Sequence, residues 1–291
     1  MSAALNSQLV LFDATPTARS TREYANILTA EINDKGVLDV DTVKGCTLGI
    51  RKRELGCYDA CYAATIARFR GIDFGHSVTR KVVSYSHARA IERTVKAAPQ
   101  GFFRVGTMGD PCHDWPATVD VIEWLAPFAT PVVVTKHWRT ASDDSFRRLV
   151  ACGTVLNTSI SALDTDAERG HRMRQLHRYS AMGGASFARI VSCEFNRDVA
   201  EGAWMAAVQD ELFALPNIID NPLRVSRSHH LVTSGLILLD SVRDLNSIRT
   251  VSLANKNTYL GHCSQCPDVC GVKALAIRPE LPQRELPMDG V

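Results

Sequence analysis

The 291-residue chain carries 33 basic and 31 acidic side chains, a formal net charge of +2, and 45% hydrophobic residues. That balance leaves no bulk electrostatic footprint for nucleic acid, and the apolar content is that of a chain able to bury a core. No stretch approaches the ~18 apolar residues of a membrane helix and no secretory signal is visible, so a cytoplasmic location with no membrane partner is expected. Thiols stay reduced there, and nine cysteines, an odd number, sit badly with a disulfide framework.

In chain order, the first 25 residues read as loosely ordered. Apolar runs of strand length then alternate with longer amphipathic stretches, which is the pattern of βα units and a mainly parallel sheet. Strands are expected over 41–50, 102–108, 131–136, 155–160 and 187–193, with a sixth within 223–227 or 231–239. A helix over 61–70 ends at Gly71, a suitable residue for a left-handed C-terminus. Ser142 is expected to cap a helix whose first turn holds Asp143 and Asp144. Thr165 with Glu168 spells a capping box, and Asp198 with Glu201 a related D-x-x-E start. The helix opened by the latter would bury Trp204, Met205, Val208, Leu212 and Phe213. The expected organisation is an N-terminal extension over 1–40, a βα body over 41–240, and a cysteine-rich extension with a proline-bearing tail over 241–291.

Six of the nine cysteines fall into two triplets. Cys46, Cys57 and Cys61 lie in GCTLGIRKRELGCYDACYAATIARFRG with spacing C-x10-C-x3-C. Cys263, Cys266 and Cys270 lie in GHCSQCPDVCG with spacing C-x2-C-x3-C. Cysteines serving only as small buried hydrophobes would scatter, as Cys152 does. Clustered thiolates suit zinc or an iron–sulfur cluster. Structural zinc wants four ligands, which three cysteines meet only with a further donor such as His262. A [4Fe–4S] cluster on three cysteines leaves one iron open to a non-protein ligand. The basic run Arg51, Lys52 and Arg53 reads as a solvated loop.

The stretch GC…GCYDACYAA at the end of a first strand resembles the cluster loop of the radical S-adenosylmethionine (radical SAM) superfamily. It is closest to a phage-associated branch with a GC…GC…CYA pattern, and departs from the main superfamily's CxxxCxxC. FRVGTMGDP, VVVTKHW, VLNTSIS and RIVSCEFN resemble that branch's later strand ends, and a related phage group also closes with a cysteine cluster. The likeness covers about residues 40–200 plus the terminal cysteines.

The resemblance implies an α/β fold: a partial (β/α)6 barrel with a C-terminal cysteine-rich extension. It implies a [4Fe–4S] cluster on Cys46, Cys57 and Cys61, with S-adenosylmethionine on the open iron. Reductive cleavage would give a 5′-deoxyadenosyl radical that takes hydrogen from a substrate. Cys263, Cys266 and Cys270 would hold an auxiliary iron–sulfur cluster or zinc. A flavodoxin or ferredoxin-like protein would supply electrons, and a phage nucleotide or nucleic acid is the substrate class suggested.

By the same resemblance, Gly109 would let the methionine moiety approach the backbone and Asp110 would accept from its ammonium; Gly-Asp-Pro is equally a plain turn. Lys136 would pair with the carboxylate, or simply face solvent at a strand end. Ser159 and Ser161 would hydrogen-bond ribose or carboxylate if their face is the barrel interior. Glu194 would hold a ribose hydroxyl or a surface salt bridge, and Tyr62 would lie near adenine or pack the helix start. Cys112 would donate hydrogen or ligate a second cluster. His113 and Asp114 would move protons, unless Asp114 is only a helix N-cap. Two other classes stay open: a non-catalytic, metal-stabilised binding protein on a barrel scaffold, and a zinc-dependent nucleic-acid-binding module.

Overall fold

Short β-rich runs separated by capped helices close into one curled sheet. The computed structural model describes residues 27–50, 61–69, 71, 73–75, 78–226, 228–238, 242–243, 250–253, 259 and 261–277. The first 25 residues, the run Arg51, Lys52 and Arg53, Cys57 and the 278–291 tail lie outside them. The strands are β1 (Glu31–Ile32), β2 (Leu38–Asp39), β3 (Val43–Lys44), β4 (Thr79–Arg80), β5 (Phe102–Val105), β6 (Thr130–Thr135), β7 (Val155–Ile160), β8 (Ala185–Ser192), β9 (Ile218–Ser226), β10 (Val242–Arg243) and β11 (Thr250–Leu253).

Nine of them form one sheet in the order β1-β2-β5-β6-β7-β8-β9-β11-β10, while β3 and β4 pair separately. From β2 through β9 every pairing is parallel. Within this sheet only the outer pairings, β1 with β2, β9 with β11 and β11 with β10, are antiparallel. The result is a mixed α/β fold with a curled, parallel-rich half-barrel sheet. Parallel strands need crossover connections, and the helices Tyr85–Lys96, Trp115–Leu125, Asp143–Ala151, Asp166–Ala181 and Ala200–Phe213 supply them.

Side-chain alternation sorts the sheet's two faces. Phe103, Val105, Val133 and Leu156 pack with Ile122, Leu125, Phe146, Leu149 and Tyr179 under the helices. Phe146 meets Tyr179 edge-on at 5.1 Å between ring centroids, a favoured aromatic geometry. Phe102, Val132, Val155 and Phe187 point to the inner face. There they meet Cys270, Val269 and Val272 from the C-terminal segment.

The strand over 155–160 has the bounds read from the sequence, and 187–193 is extended two residues earlier. The sixth strand is the 223–227 candidate, lengthened to β9. Residues 231–239 instead hold a helical turn, His230–Thr233, and a bridge from Ile237 to Phe195.

The first strand requires correction. The large sheet takes Leu38–Asp39; within 41–50 only Val43–Lys44 is strand, paired with β4 outside that sheet, and 47–50 is a helical turn. At Asp41 the chain leaves the sheet because the carboxylate binds backbone N–H groups across the next strand's end. Residues 27–40 accordingly belong to the body, with Leu28, Leu38 and Val40 fully buried.

Helix starts follow local chemistry where a side chain reaches the backbone. Ser142 Oγ accepts from Ser145 N at 3.0 Å, and Thr165 with Glu168 makes both bonds of a capping box, a feature worth about 1 kcal/mol. The expected D-x-x-E start at Asp198 does not form. The helix begins at Ala200 with Val199 at the N-cap and no side-chain cap. Asp198 instead gives its own N–H to Asn196 Oδ1 at 3.1 Å. Trp204 is likewise not buried with Met205 and Leu212 but lies 51% exposed, beside the Arg169 guanidinium.

Candidate active site at the strand C-terminal rim

The rim is built by one carboxylate. Asp41 accepts from the N–H groups of Gly106 (2.9 Å), Thr107 (2.7 Å) and Met108 (2.8 Å). Gly106 can close this turn because its φ is +100°. Burial, reinforced by the charge of Asp39, lifts the Asp41 carboxyl to about 6 in spite of those three donors. The turn carries Gly109 against the first cysteine: Gly45 N donates to Met108 O at 3.0 Å, and Gly45 and Gly109 form a bridge. A Cβ on Gly109 would stand 2.3 Å from Val43 O, so close backbone approach here does require glycine.

Cys46 follows at once. It is buried with Ala63, Ala64 and Ala67 of the Tyr62–Phe69 helix, and Cys61, Met108 and Trp138 pack against the same cluster. Residues fifteen apart in sequence thus pack into one apolar cluster at the rim, with Cys61 directly before the helix. Cys57 lies outside the described residues, as does the Tyr62 side chain. Cys112 is buried close enough for its charge to register with that of Cys46; burial first, then Asp110, pushes its thiol far above the ordinary range. It is a protonated thiol at neutral pH.

Beside the cysteines lies a buried charged network. Asp110 Oδ1 accepts from Cys112 N (3.0 Å) and Thr135 Oγ1 (2.6 Å), and Oδ2 accepts from Lys136 N (2.8 Å). Lys136 Nζ reaches Asp164 at 3.2 Å. Asp164 also accepts from Ser161 N at 2.7 Å and pairs with Arg172. Arg172 Nε donates to Lys136 O at 3.0 Å, and its guanidinium lies 4.8 Å from the Trp138 ring centroid, a cation–π contact. Burial works to raise the Asp164 carboxyl, yet Lys136 and Arg172 together hold it below its usual range. Next to them His137, φ +52°, bonds Thr158 Oγ1 through Nε2 at 3.1 Å. Burial lowers that imidazole to about 3, so it is neutral.

The remaining residues singled out in the sequence are spread around this rim. Ser159 is buried on the inner face, in alternation with Val155 and Asn157. Ser161 Oγ accepts from Leu163 N at 3.1 Å. Glu194 is half-buried, and its carbonyl accepts from Leu238 N at 2.9 Å. His113 is buried with no hydrogen-bond partner at Nε2 among the described residues, and burial lowers its pKa. Asp114 caps the Trp115–Leu125 helix, accepting from Ala117 N at 3.2 Å with Pro116 in the first turn, and pairs with Arg80.

The second triplet sits at the opposite end of the strands. Cys270 is buried, and Cys263 and Cys266 are half-buried. The three are near enough for the charges of Cys270 and Cys266 to act on Cys263. Among the described residues no three His, Cys, Asp or Glu side chains already stand together as a metal-holding group. The donors nevertheless suit thiophilic metals. The first triplet brings the buried Cys46 and the half-buried Cys61 to one apolar cluster; in the second, Cys270 lies against Asn157, a buried amide whose Oδ1 has no hydrogen-bond partner among the described residues.

No protein-family model, no curated protein and no solved structure matches this chain.

Asp41, Asp164, Arg172 and Trp138 had not been singled out. Asp164 directly precedes the Thr165 capping box, a position where a carboxylate normally serves the backbone, and Arg172 sits in a strongly polar helix sequence. Neither context marks a residue as buried and charged. No helix among the described residues is long and apolar enough to cross a membrane.

Proposed function

We propose that this chain is a radical S-adenosylmethionine enzyme, with Cys46, Cys57 and Cys61 as the ligands of a [4Fe–4S] cluster at the strand C-terminal rim. The supporting observation is the apolar cluster that brings Cys46 and Cys61 together with Met108 and Trp138, beside Gly109, on a half-barrel whose strand C-terminal ends are where such folds keep their chemistry. When bound, the cluster supplies the electron that breaks a carbon–sulfur bond of S-adenosylmethionine.

The chain's own residues would bind and orient. Gly109 lets the rim turn close against Val43 and Gly45, which sets Cys46 beside the strand ends. Lys136, steadied by Asp164, offers a positive charge for a carboxylate. Ser159 presents a hydroxyl to the inner face. Ala63, Ala64, Met108 and Trp138 keep water from the pocket, which strengthens each of these contacts. An auxiliary iron–sulfur cluster or zinc on Cys263, Cys266 and Cys270 belongs to the same reading, as do a flavodoxin or ferredoxin-like electron donor and a nucleotide or nucleic-acid substrate.

A second reading is a non-catalytic, metal-stabilised binding protein. The internal commitments of Asp110 and Lys136 favour it, because both already satisfy neighbouring groups.

Anaerobic purification with iron and sulfide reconstitution separates the two. The enzyme absorbs broadly near ~400 nm and releases 5′-deoxyadenosine when reduced in the presence of S-adenosylmethionine, and Cys57→Ala or Cys61→Ala abolishes that product. A colourless protein with stoichiometric zinc and no nucleoside product selects the binding protein.

A further inference from the structure

We propose that the outer face of the Tyr85–Lys96 helix is a docking surface for single-stranded nucleic acid, with Arg89, Arg93 and Lys96 on the phosphates and Tyr85 stacked on a base. This rests on the nucleic-acid part of the substrate reading above and is independent of the cluster.

The near-neutral total charge conceals a local imbalance. Ile91 and Val95 of this helix are buried, in the cluster that holds Phe103 and Ile122. Tyr85, Arg89, Arg93 and Lys96 follow one another at i, i+4, i+8 and i+11 on the side away from that core, and all four are exposed. At 1.5 Å per residue they make a stripe about 16 Å long. Glu92 is the carboxylate of this helix. It is half-buried, and its Oε1 accepts from Trp124 Nε1 at 2.8 Å. Among the described residues Arg89, Arg93 and Lys96 form no ion pair.

The fold does not account for this stripe. The helix dipole favours cations in the last turn, which covers Arg93 and Lys96. Arg89 lies too early to gain from it and repels Arg93 one turn on. Tyr85 is 77% exposed, more than any other large hydrophobic side chain among the described residues. A polyanion answers both features. Its phosphates neutralise the row of cations, and the ring at the end of the row offers a stacking face to an unpaired base. Bases inside a duplex are not open to Tyr85, so a single strand is the partner that engages all four residues.

The stripe leads to the candidate site. A helix that feeds a parallel strand runs opposite to it, so Lys96 lies towards the start of Phe102–Val105 and Tyr85 towards the strand C-terminal rim. The Thr79–Arg80 strand, shortly before Tyr85, pairs with Val43–Lys44, and Gly45 and Cys46 follow that pair directly. A strand lying along the helix would bring the base on Tyr85 to the rim.

The test measures fluorescence anisotropy of labelled oligothymidylate, oligouridylate and a DNA duplex of equal length with the full-length reconstituted protein over a range of salt. The variants are Tyr85→Ala, Arg89→Gln with Arg93→Gln, and a control that removes two exposed arginines elsewhere, Arg147→Gln with Arg174→Gln. Unchanged urea midpoints show that each variant is folded. The proposal expects a single strand, DNA or RNA, to bind more tightly than the duplex. The Arg89/Arg93 variant should flatten the salt dependence by about 1.4 log units per log unit of salt, from ~0.7 per phosphate contact. Tyr85→Ala should weaken binding about tenfold at an unchanged salt slope, as loss of one stacked base does. Equal losses in the two arginine variants, tighter binding of the duplex, or no effect of Tyr85→Ala would overturn the docking surface alone. No anisotropy change with any oligonucleotide at low salt, whether or not phosphatidylserine vesicles bind, would overturn the nucleic-acid reading beneath it as well. Release of 5′-deoxyadenosine tests the cluster separately.

Discussion

Asp41 Oδ2 accepts the backbone N–H of Met108 at 2.8 Å across 67 residues of sequence. Through that bond and its two companions, a single carboxylate sets where Gly109 lies relative to Cys46. Its folded-state carboxyl is raised, from 3.8 to about 6. A raised carboxyl makes its stabilising contribution below the unfolded value and loses it as pH rises through the folded one. Between pH 4 and 6 the wild type should therefore lose stability relative to Asp41→Asn, by up to about 3 kcal/mol from the linkage of one two-unit shift. Urea midpoints of both proteins at pH 4 and pH 7 check this. Parallel pH dependence in the two would show that Asp41 does not titrate there.

Gly109→Ala forces a methyl group against Val43 O. The rim turn and the cysteine loop must separate, at a cost of about 1–3 kcal/mol. Iron incorporation after reconstitution should fall further than that of an alanine placed at the helical Gly170, whose nearest neighbour is the flexible end of Arg174 at 3.4 Å. Equal incorporation would mean that the approach of Gly45 to Gly109 does not position Cys46.

Arg172→Met leaves Asp164 facing Lys136 alone and removes the cation above Trp138. Breaking a buried pair by deleting one partner costs about 3–5 kcal/mol. Asp164→Asn should cost a similar amount by stranding two cations. The double variant should cost less than the sum of the two, because neither leaves the other's charge unanswered. Denaturant unfolding of the four proteins measures the coupling, and strict additivity would dissolve the proposed network.

Cys112 should resist alkylation. Its thiol is buried and protonated, whereas iodoacetamide attacks the exposed thiolate. Peptide mass spectrometry after labelling the metal-free protein at pH 8 should find Cys266 modified and Cys112 unmodified until the chain is unfolded. Labelling of both at one rate would remove Cys112 from the buried set.

Periodicity and capping chemistry are local, and they carried most of the sheet. The central strands are legible because Val155–Ile160 and its neighbours are short apolar runs set between helix starts at Ser142 and Thr165, whose effects act within a few residues. The break in the first strand has a non-local cause. The run 41–50 is strand-like in composition, but Asp41 draws the chain to the 106–108 turn, and no window of ten residues contains both partners. Helical spacing groups Trp204 with Met205 and Leu212, but spacing says which residues share a face and not which face meets the sheet.

The site divides along the same line. Two clustered cysteine groups could be read from spacing because a thiolate's metal chemistry belongs to its residue type, whatever the fold. The burial of Asp164 between Lys136 and Arg172, the seating of Trp138 beside Cys46, and the packing of Cys270 beneath Phe187 came from the folded chain. Each joins segments that are distant in sequence, and the energy of a buried charge or an apolar contact depends on what surrounds it in space rather than on what precedes it along the backbone.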